Sequence, residues 1–305
     1  MNLTVLAKHD VAAETVCVAL GHTDGAPLPP FRPGAHIEIT VGGLMRRYSL
    51  TSRPEVSAAY EITVLRVSPS RGGSAYIHDR LRVGDTLDAS EPVNAFPLNE
   101  AAAHSIFIAG GIGVTPFLSM MEALTHLQRS FECHYAVARA DRMIPVPDHE
   151  GRLARYVSTN GATRLNIDTL IQTLNPLSDL YVCGPTPMIE VTRDLALARG
   201  WARAAIHYES FGGAPRTEDR AITLHLLRSN VTFEIAVGTS ILDALLEHDI
   251  WAPFDCKRGE CATCVATVLA GVVDHRDVCL KPAQRAQNMC ICVSWSTSDS
   301  LTLDL

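Results

Sequence analysis

The 305-residue sequence lacks the features that mark membrane, secreted and repeat proteins. It has no run of about 20 consecutive apolar residues, which is the length that a membrane-spanning helix requires. Its opening, MNLTVLAKHD, has neither the basic start nor the apolar stretch of a signal peptide. Internal repeats and low-complexity tracts are also absent. We therefore expect a cytoplasmic protein of ordinary globular type with no membrane partner.

An excess of positive charge is missing as well. The chain has 26 Lys and Arg residues against 33 Asp and Glu residues, a net charge of -7. Proteins that bind nucleic acid as their main partner normally carry a basic face, so this class is disfavoured. From Ile222 onward there are six basic and ten acidic residues, a net charge of -4. This acidic stretch leaves room for a basic protein partner.

The length and the 47% hydrophobic content predict several domains, each with its own core. Residues 1–101 contain short alternating apolar segments broken by Gly and Pro turns, which predicts an antiparallel β-barrel. Residues 102–212 repeat a buried strand, a glycine turn and a helix, the pattern of an α/β domain with a parallel sheet. Residues 213–221 have the composition of a linker. A third domain, residues 222–305, begins with a hairpin and a helix capped by Thr239 or Ser240.

Six of the nine cysteines lie between Cys256 and Cys292. In a chain without a secretory signal, clustered cysteines are more often metal ligands than disulfides. Cys256, Cys261 and Cys264 have the spacing Cys-x4-Cys-x2-Cys, and Cys292 follows after 27 residues. This is the plant-type spacing of a 2Fe-2S cluster. A structural zinc site is the alternative, but zinc ligands usually form two close Cys pairs.

The remaining cysteines of this region, Cys279 and Cys290, leave the fourth ligand ambiguous. Cys290 lies two residues before Cys292, so in a strand both side chains would point to one face. We choose Cys292 because MCICVSW resembles the closing strand of plant-type ferredoxins. Cys279 and Cys290 are interpreted as buried apolar fillers. Gly259 is expected to relieve crowding where the backbone curls around the cluster.

Two segments of the first domain resemble the flavin site of the ferredoxin reductase superfamily. Residues 46–50, Arg-Arg-Tyr-Ser-Leu, resemble its Arg-x-Tyr-Ser signature, and Gly72-Gly73-Ser74 resembles its flavin-phosphate loop. Tyrosine can pack on the flavin ring, a hydroxyl can bond near its N5, and arginine can pair with phosphate. Arg46 rather than Arg47 fits the superfamily register. Taken alone, Arg-Tyr-Ser would be an ordinary strand tripeptide.

Two glycine turns of the second domain resemble the nicotinamide motifs of the same superfamily. Residues 110–116, GGIGVTP, follow a buried strand and open a helix, where backbone amides can receive a pyrophosphate. Residues 183–188, CGPTPM, repeat this arrangement. Glu209-Ser210-Phe211-Gly212 resembles the closing segment, with Phe211 near the flavin ring. We find no basic cluster for a 2'-phosphate near Arg139 and Arg142, which favours NADH.

In this order, and with the ferredoxin segment last, the motifs resemble the phthalate dioxygenase reductase family over nearly the whole chain. HRD at 275–277 and the terminal LTLDL are part of the resemblance. It implies a flavin-binding β-barrel, a parallel-sheet nicotinamide domain and a β-grasp-like ferredoxin domain. It further implies FMN, NADH and a Rieske-type terminal oxygenase as electron acceptor in aromatic catabolism or demethylation. The protein is expected to be a monomer when free.

The resemblance assigns three sets of residues. The catalytic set around hydride transfer is Ser49, Thr115, Cys183, Glu209 and Phe211. The cofactor-binding set is Arg46, Arg47, Tyr48, Ser49, Arg71, Gly72, Gly73, Ser74, Gly110, Gly111, Gly113, Thr115, Pro116, Cys183, Gly184, Pro185, Met188 and Phe211. The metal set is Cys256, Cys261, Cys264 and Cys292.

Two other functions remain open on the sequence. One is a reductase with FAD that serves a haem-thiolate monooxygenase. The other is a redox sensor without enzyme activity, in which an iron-sulfur or zinc site sits on a degenerate reductase fold. The sensor predicts no bound flavin and no NADH-dependent reduction of a dye.

Overall fold

The computed structural model describes residues 1–54, 58–68, 72–159, 163–212 and 216–305. The chain forms two compact units, the first made of Met1–Arg66 and Gly72–Glu209 and the second chiefly of Ser210–Leu305. Three hydrophobic cores lie within them, two in the first unit and one in the second. The domain boundaries given above stay predictions. Across the described ranges, no helix is long and apolar enough to cross a membrane.

The first core is enclosed by antiparallel strands, as predicted. The strands are β1 (Asn2–Ala12), β2 (Thr15–Gly21), β3 (His36–Val41), β4 (Leu44–Ser49), β5 (Ala59–Leu65) and β6 (Thr86–Asp88). Four of them pair in the order β5-β2-β1-β6, and β3 pairs with β4. Bridges from Ile39 to Ala89 and from Leu50 to Ile62 connect the two sheets into a barrel. Helix α1 (Gly73–Asp79) follows β5.

The second core surrounds a five-stranded parallel sheet. Its strands are β7 (His104–Gly110), β8 (Ser130–Val137), β9 (Leu153–Val157), β10 (Asp179–Cys183) and β11 (Ile206–Glu209). The accompanying helices are α2 (Thr115–His126), α3 (Ile167–Thr173) and α4 (Thr186–Arg199). The spatial order of the strands is β11-β10-β7-β8-β9. The chain adds β8 and β9 on one side of β7 and then β10 and β11 on its other side. Ligands of such sheets bind outside the carboxyl ends of the strands at the point where the order changes side, here between β7 and β10.

The barrel and the parallel sheet contact each other within the first unit. The Gly34 amide donates to the Ser119 hydroxyl on α2 at 3.2 Å. Arg53 and Glu122 form an ion pair at 2.5 Å, again between the barrel and α2. Arg142, after β8, pairs with Glu14, between β1 and β2. These contacts hold the carboxyl edge of the sheet beside the barrel.

The second unit has a mixed sheet covered by a helix. Its strands are β12 (Ile222–Leu226), β13 (Val231–Ile235), β14 (Val265–Ala270), β15 (Val273–Asp274), β16 (Asn288–Cys290), β17 (Trp295–Ser296) and β18 (Ser300–Leu303). Five of them pair in the order β13-β12-β18-β14-β16, with β12 and β18 parallel. Helix α5 (Ile241–Glu247) is capped by Ser240, and α6 (Pro282–Arg285) precedes β16. This arrangement agrees with the predicted β-grasp-like fold.

The segment read as a linker is partly built into the second unit. Asp219 is almost fully buried and receives two bonds from the Arg276 guanidinium, at 2.9 Å and 2.5 Å. Arg276 also donates to Asp274 at 2.8 Å. Residues 216–221 therefore have the composition of a loop, and one of their charged side chains also belongs to a buried ion pair.

Candidate functional site

The loop that carries three of the predicted metal ligands has an unusual backbone. Lys257, Gly259 and Ala262 all have left-handed conformations, with φ of 52°, 74° and 60°. Only glycine adopts such values without steric cost, so the loop stores strain at Lys257 and Ala262. Three left-handed residues between Cys256 and Cys264 curl the chain tightly around one point.

Gly259 is the residue that the curl depends on most. A Cβ built at this position would lie 2.6 Å from Val293 Cγ2 and 2.9 Å from the Asp277 backbone. The Gly259 carbonyl also accepts a hydrogen bond from the Val278 amide at 3.0 Å. The loop is thus pressed against the HRD segment and against Val293, in the turn that contains Cys292. The predicted role of Gly259 in relieving crowding agrees with this geometry.

The four predicted ligands form two pairs of thiols. Cys264 and Cys292 are buried, and their sulfur atoms lie 3.0 Å apart. Cys256 and the exposed Cys261 bond to one another through their side chains. The Arg258 amide points at Cys256 Sγ at 3.4 Å. Two pairs of sulfur donors with a backbone amide directed at one of them are the donor set that a two-iron cluster needs.

The thiols of this site titrate away from their ordinary range. Contacts with the Cys290 and Cys292 thiols lower the pKa of Cys264. Its neighbour Cys292 has a raised pKa, first because of the same contact with Cys264 and then because of burial. Burial acts to raise the pKa of Cys261, but hydrogen bonds from Thr263 and Cys256 lower it. Iron binds thiolates, so loading the site would release the remaining protons.

The two candidates for the fourth ligand differ in their contacts. Cys290 Sγ lies 3.4 Å from Cys279 Sγ and also contacts Cys264, whereas Cys292 Sγ lies 3.0 Å from Cys264 Sγ. The Gly259 amide bonds to Cys292, which places that thiol against the curled loop. The geometry therefore supports Cys292 as the ligand. Cys279 and Cys290 contact each other, a relationship that their interpretation as separate fillers missed.

The predicted flavin strand is β4. It pairs with β3 so that Arg46 is opposite Ile39, Arg47 opposite Glu38 and Tyr48 opposite Ile37. Arg47 is neutralised by Glu38 at 2.7 Å. Arg46 and Tyr48, two residues apart, share the other face of the strand. This arrangement favours Arg46 as the phosphate contact, in agreement with its position in the superfamily register.

The predicted phosphate loop lies next to Arg46. A Cβ at Gly73 would lie 2.7 Å from Arg46 Cγ and 3.0 Å from its Nε, so only glycine lets the arginine lie there. Gly72 has φ of 94° and is the N-cap of α1, and Ser74 lies in the first turn of this helix. Arg71 lies outside the described residues. An arginine packed against Gly73 at a helix start fits a flavin phosphate.

Tyr48 and Ser49 lie at the end of β4 beside the barrel core. Tyr48 is half-buried, and burial raises the pKa of its hydroxyl to about 12, so the phenol stays protonated. Ser49 is buried, with 6% of its surface exposed. Both side chains can therefore act as neutral hydrogen-bonding groups against a flavin ring, the roles that the resemblance assigns to them.

The two glycine turns of the parallel sheet meet at its carboxyl edge. A Cβ at Gly113 would meet the Cys183 carbonyl group and lie 2.9 Å from the Gly184 nitrogen. A Cβ at Gly110 would lie 2.7 Å from Pro185 Cδ and 2.8 Å from Met188 Sδ. The glycines thus allow the turns after β7 and β10 to touch. Gly111 differs, because its φ is 56° and a Cβ there would point into open space.

Three of the predicted hydride-transfer residues, Cys183, Glu209 and Thr115, lie at this edge, whereas Ser49 lies at the end of β4 in the barrel. Cys183 is fully buried and pairs with Ala109 on one side and Glu209 on the other. Glu209 is also buried, with 3% of its surface exposed. Thr115 begins α2 and donates its hydroxyl hydrogen to the Ile112 carbonyl at 2.9 Å.

The prolines and Phe211 complete the predicted set. Pro116 occupies the first turn of α2, and Pro185 is the N-cap of α4. Proline is well suited to a helix start because its missing N–H has no helical partner there. Phe211 belongs to the second unit and is 40% exposed. Its placement near a flavin stays a prediction.

Comparison with known proteins agrees with the site chemistry. Residues 224–295 match the family described as the 2Fe-2S iron-sulfur cluster binding domain. The range contains all four proposed cluster ligands.

Relatives and a solved structure extend the match to the whole chain. The chain is 40% identical to the phenoxybenzoate dioxygenase subunit beta of Ectopseudomonas oleovorans, over 91% of this chain and 89% of that protein. It is 34% identical to the vanillate O-demethylase oxidoreductase of Pseudomonas sp. (strain HR199 / DSM 7063), over the full length of both. A structure of phthalate dioxygenase reductase superposes with a TM-score of 0.79 and 31% identity, covering 100% of this chain and 98% of that one. That protein is described as a modular structure for electron transfer from pyridine nucleotides to [2Fe-2S].

Proposed function

The chain belongs to the phthalate dioxygenase reductase family, and from that premise we propose that it carries electrons from NADH through FMN and a 2Fe-2S cluster to an oxygenase component. One observation carries the proposal: four thiols form two contacting pairs, Cys256 with Cys261 and Cys264 with Cys292, in a chain that also has the flavin strand and the two glycine turns. A cluster site alone would be compatible with a redox sensor. A cluster site together with a flavin site and a nicotinamide site in one chain indicates a reductase.

The cofactors supply the redox chemistry, because a flavin takes electrons in pairs from a nicotinamide and gives them up singly to an iron-sulfur cluster. The protein contributes position and electrostatics. We assign the amides of the turn at 110–116 and of the start of α4 to the NADH pyrophosphate. Arg46 binds the flavin phosphate from above Gly73.

The residues around hydride transfer orient the two rings. Ser49 and Tyr48 hold the flavin from β4 through neutral hydroxyl groups. Cys183 and Glu209, on adjacent strands, form a buried floor for the nicotinamide at the carboxyl edge of the sheet. Because both are buried, they exclude water from the site. Hydride transfer itself needs no acid or base from the protein.

The thiol pairs define how the cluster is held. Cys256 and Cys261 would hold one iron of a bound cluster, and Cys264 and Cys292 would hold the other. Cys261 is the exposed member of the four, so we assign the side of the site that carries Cys261 to the electron acceptor.

The segment just before Cys256 is suited to a protein acceptor. It carries two exposed aromatic side chains, Trp251 at 77% and Phe254 at 40% of their surface. Asp249 and Asp255, which flank these residues in the sequence, are also exposed, and the Lys257 ammonium lies over the Phe254 ring. Aromatic anchors with a charged rim are typical of transient protein interfaces, so we assign this face to a Rieske-type oxygenase with basic residues around its own cluster.

NADH is preferred over NADPH because the arginines after β8 are already engaged. Arg139 donates to Asp141 at 3.1 Å, and Arg142 pairs with Glu14. A 2'-phosphate would have to displace one of these carboxylates. We therefore expect a clear loss of kcat/KM with NADPH. We also propose a cytoplasmic location, which is supported by the proposed use of NADH and by a cysteine cluster that must stay reduced to bind iron.

Cofactor release and acceptor reduction test the proposal. The flavin is released from the purified holoprotein by acid and identified by chromatography. Under anaerobic conditions, the NADH-reduced protein is then mixed with a purified Rieske-type oxygenase component and, separately, with a haem-thiolate monooxygenase. We expect FMN and rapid bleaching of the Rieske absorption. FAD together with preferential reduction of the haem protein would support the alternative reductase, and absence of flavin would support the sensor.

A further inference from the structure

A second pair of thiols lies behind the cluster ligands and has no part in the proposed function. Cys279 Sγ and Cys290 Sγ are 3.4 Å apart. Cys290 is fully buried, whereas Cys279 is half-buried. Cys290 also contacts Cys264, one of the two buried ligands. One thiol of this pair is therefore partly accessible to solvent, and the other contacts a buried cluster ligand.

We propose that Cys279 and Cys290 are a site of reversible covalent modification, at which hydrogen peroxide converts the two thiols into a disulfide beside the cluster ligand Cys264. The proposal goes beyond the electron-transfer function and does not depend on which acceptor the reductase serves. Hydrogen peroxide is the oxidant that we assign, because reduced flavins react with dioxygen.

The geometry brings the sulfur atoms close without a bond. A disulfide needs a sulfur–sulfur distance of about 2.05 Å, so the atoms must approach by little more than 1 Å from 3.4 Å. Rotation about the Cα–Cβ bonds can provide this movement. The pair therefore matches a reduced dithiol that is ready to close.

The backbone on both sides of the pair is fixed. Cys290 ends β16 and is paired with Val265 on β14. The turn that carries Cys279 is held by Asp277, whose carboxylate accepts from the Leu280 amide at 2.9 Å and whose carbonyl accepts from Arg285 at 2.6 Å. Because neither segment has to move, ring closure costs little conformational change.

The reaction balances in two steps. The sulfur of Cys279, the more accessible thiol, attacks one peroxide oxygen, so that a sulfur–oxygen bond forms, the oxygen–oxygen bond breaks and water leaves with the thiol proton. The sulfur of Cys290 then attacks Cys279, forming the disulfide and breaking the sulfur–oxygen bond, and a second water leaves. Both sulfurs are oxidised by one equivalent of peroxide, which is reduced to two waters. A small thiol such as glutathione restores the pair by exchange.

A metal ion is the competing occupant, since donor atoms of Asp277, Cys279 and Cys290 lie within 4.8 Å of one another. The carboxylate of Asp277 is already engaged at both oxygens. One accepts from Leu280 and lies 3.5 Å from the Arg285 guanidinium, and the other accepts from the Ser294 hydroxyl at 3.3 Å. Asp277 Oδ2 also lies 3.9 Å from Cys279 Sγ, but a metal ion would have to compete with the bonds that already hold this carboxylate. Two thiols with a third donor that is held in this way favour a disulfide over a metal site.

Peptide mapping of the holoprotein tests the proposal. The protein is treated with a small excess of hydrogen peroxide, its remaining thiols are alkylated during denaturation, and the digest is analysed by mass spectrometry. Visible absorption and iron content are recorded on the same samples. The variants are Cys279→Ser and, as a matched control, Cys133→Ser, which removes a buried cysteine of the first unit.

We expect a peptide that joins residues 279 and 290 with the loss of two hydrogen atoms. It should disappear with dithiothreitol, be absent from Cys279→Ser and persist in Cys133→Ser, while the iron content stays unchanged. The proposal is overturned if both cysteines are alkylated after peroxide treatment, if Cys279 carries only a sulfenic or sulfinic acid, or if the crosslink joins the cluster ligands. One additional metal ion per chain that protects both thiols would also overturn it.

Discussion

The loop around the cluster and the paired glycine turns of the parallel sheet are both tight backbone structures, but they achieve tightness differently. The cluster loop is strained within itself, with left-handed residues at Lys257, Gly259 and Ala262. The glycine turns are tight because two distant segments touch, Gly110 and Gly113 against residues 183–188. In the proposed function, the first site would hold its ligand through side-chain sulfur and the second through backbone amides.

This difference predicts how each site fails. A cluster loop organised by metal ligation should lose its ligand completely when one thiol is removed. The two glycine turns should lose both affinity for NADH and thermal stability when a side chain is inserted between them. The following variants test this contrast, in order of decreasing expected effect.

Replacing a buried ligand should abolish cluster binding. In Cys264→Ala, Cys292 loses the partner that lies 3.0 Å away, and one iron keeps a single thiolate from the protein. We expect iron content near zero, while NADH still reduces the flavin and an artificial dye. The matched control is Cys279→Ser, which should keep its iron. Full iron content in Cys264→Ala would contradict the ligand assignment.

Inserting a methyl group between the glycine turns should impair the nicotinamide site. Gly113→Ala places a Cβ against the Cys183 carbonyl group. A displacement of the turns by about 1 Å is expected to lower kcat/KM for NADH by about 100-fold and to reduce Tm. The cluster spectrum should not change.

Gly111→Ala is the informative companion variant. The added Cβ meets no protein atom, so the free energy of unfolding should fall only by the strain of a left-handed alanine, about 1 kcal/mol. If the open space next to Gly111 belongs to NADH, its KM should rise while Tm changes little. Equal loss of Tm in both variants would show that the turns do not depend on close packing.

Removing the buried ion pair between Asp219 and Arg276 should show that the stability of the cluster loop also depends on residues outside it. Arg276 precedes Asp277, against which Gly259 lies, and is held by Asp219. Asp219→Asn leaves the buried Arg276 charge with less compensation, and we expect a loss of about 3 kcal/mol in the free energy of unfolding of the second unit. The measurement is chemical denaturation of the holoprotein. As a control, Asp304→Asn breaks an exposed pair with Arg228 and should change little.

The same pair gives a pH dependence. Burial acts to raise the pKa of Asp219, but the bonds and charge of Arg276 outweigh it and hold the pKa below its usual range. Its stabilising contribution is therefore complete at neutral pH and is lost as the pH falls below about 3.9 toward the lowered pKa. The Asp219→Asn variant should lack this component of acid unfolding. An identical acid transition in both proteins would contradict the assignment.

The smallest effect should come from relieving strain in the cluster loop. Ala262 has φ of 60°, which glycine adopts at no steric cost. After allowing for the greater flexibility of glycine in the unfolded chain, Ala262→Gly should stabilise the holoprotein by about 0.5 kcal/mol. Ala286→Gly, at an ordinary φ of -61°, should instead destabilise it slightly. Thermal unfolding of both variants distinguishes relief of strain from a general effect of glycine.

The sequence predicts the local features of these sites well. Cysteine spacing is local in the chain, so three ligands could be assigned from one nine-residue segment. The glycine turns were recognisable because each lies between a strand and a helix. The fold classes followed from the change between alternating and helical periodicity.

Features that depend on pairing between distant residues could not be predicted. The contact between Cys279 and Cys290 requires the register of β16 with β14 and the turn at Asp277. Asp219 was read as part of a linker because its partner, Arg276, is 57 residues away. The pairing of Arg47 with Glu38 likewise depends on the register of β3 and β4, which the sequence does not specify.

The central claim is that one chain joins nicotinamide, flavin and cluster in a single electron path. An anaerobic titration of the holoprotein with NADH, followed by visible absorption, tests it most directly. The account predicts that the flavin and iron-sulfur bands both bleach, and that the Cys264→Ala variant bleaches at the flavin band alone. Iron-sulfur protein that stays oxidised in excess NADH, or that contains no flavin, would contradict it.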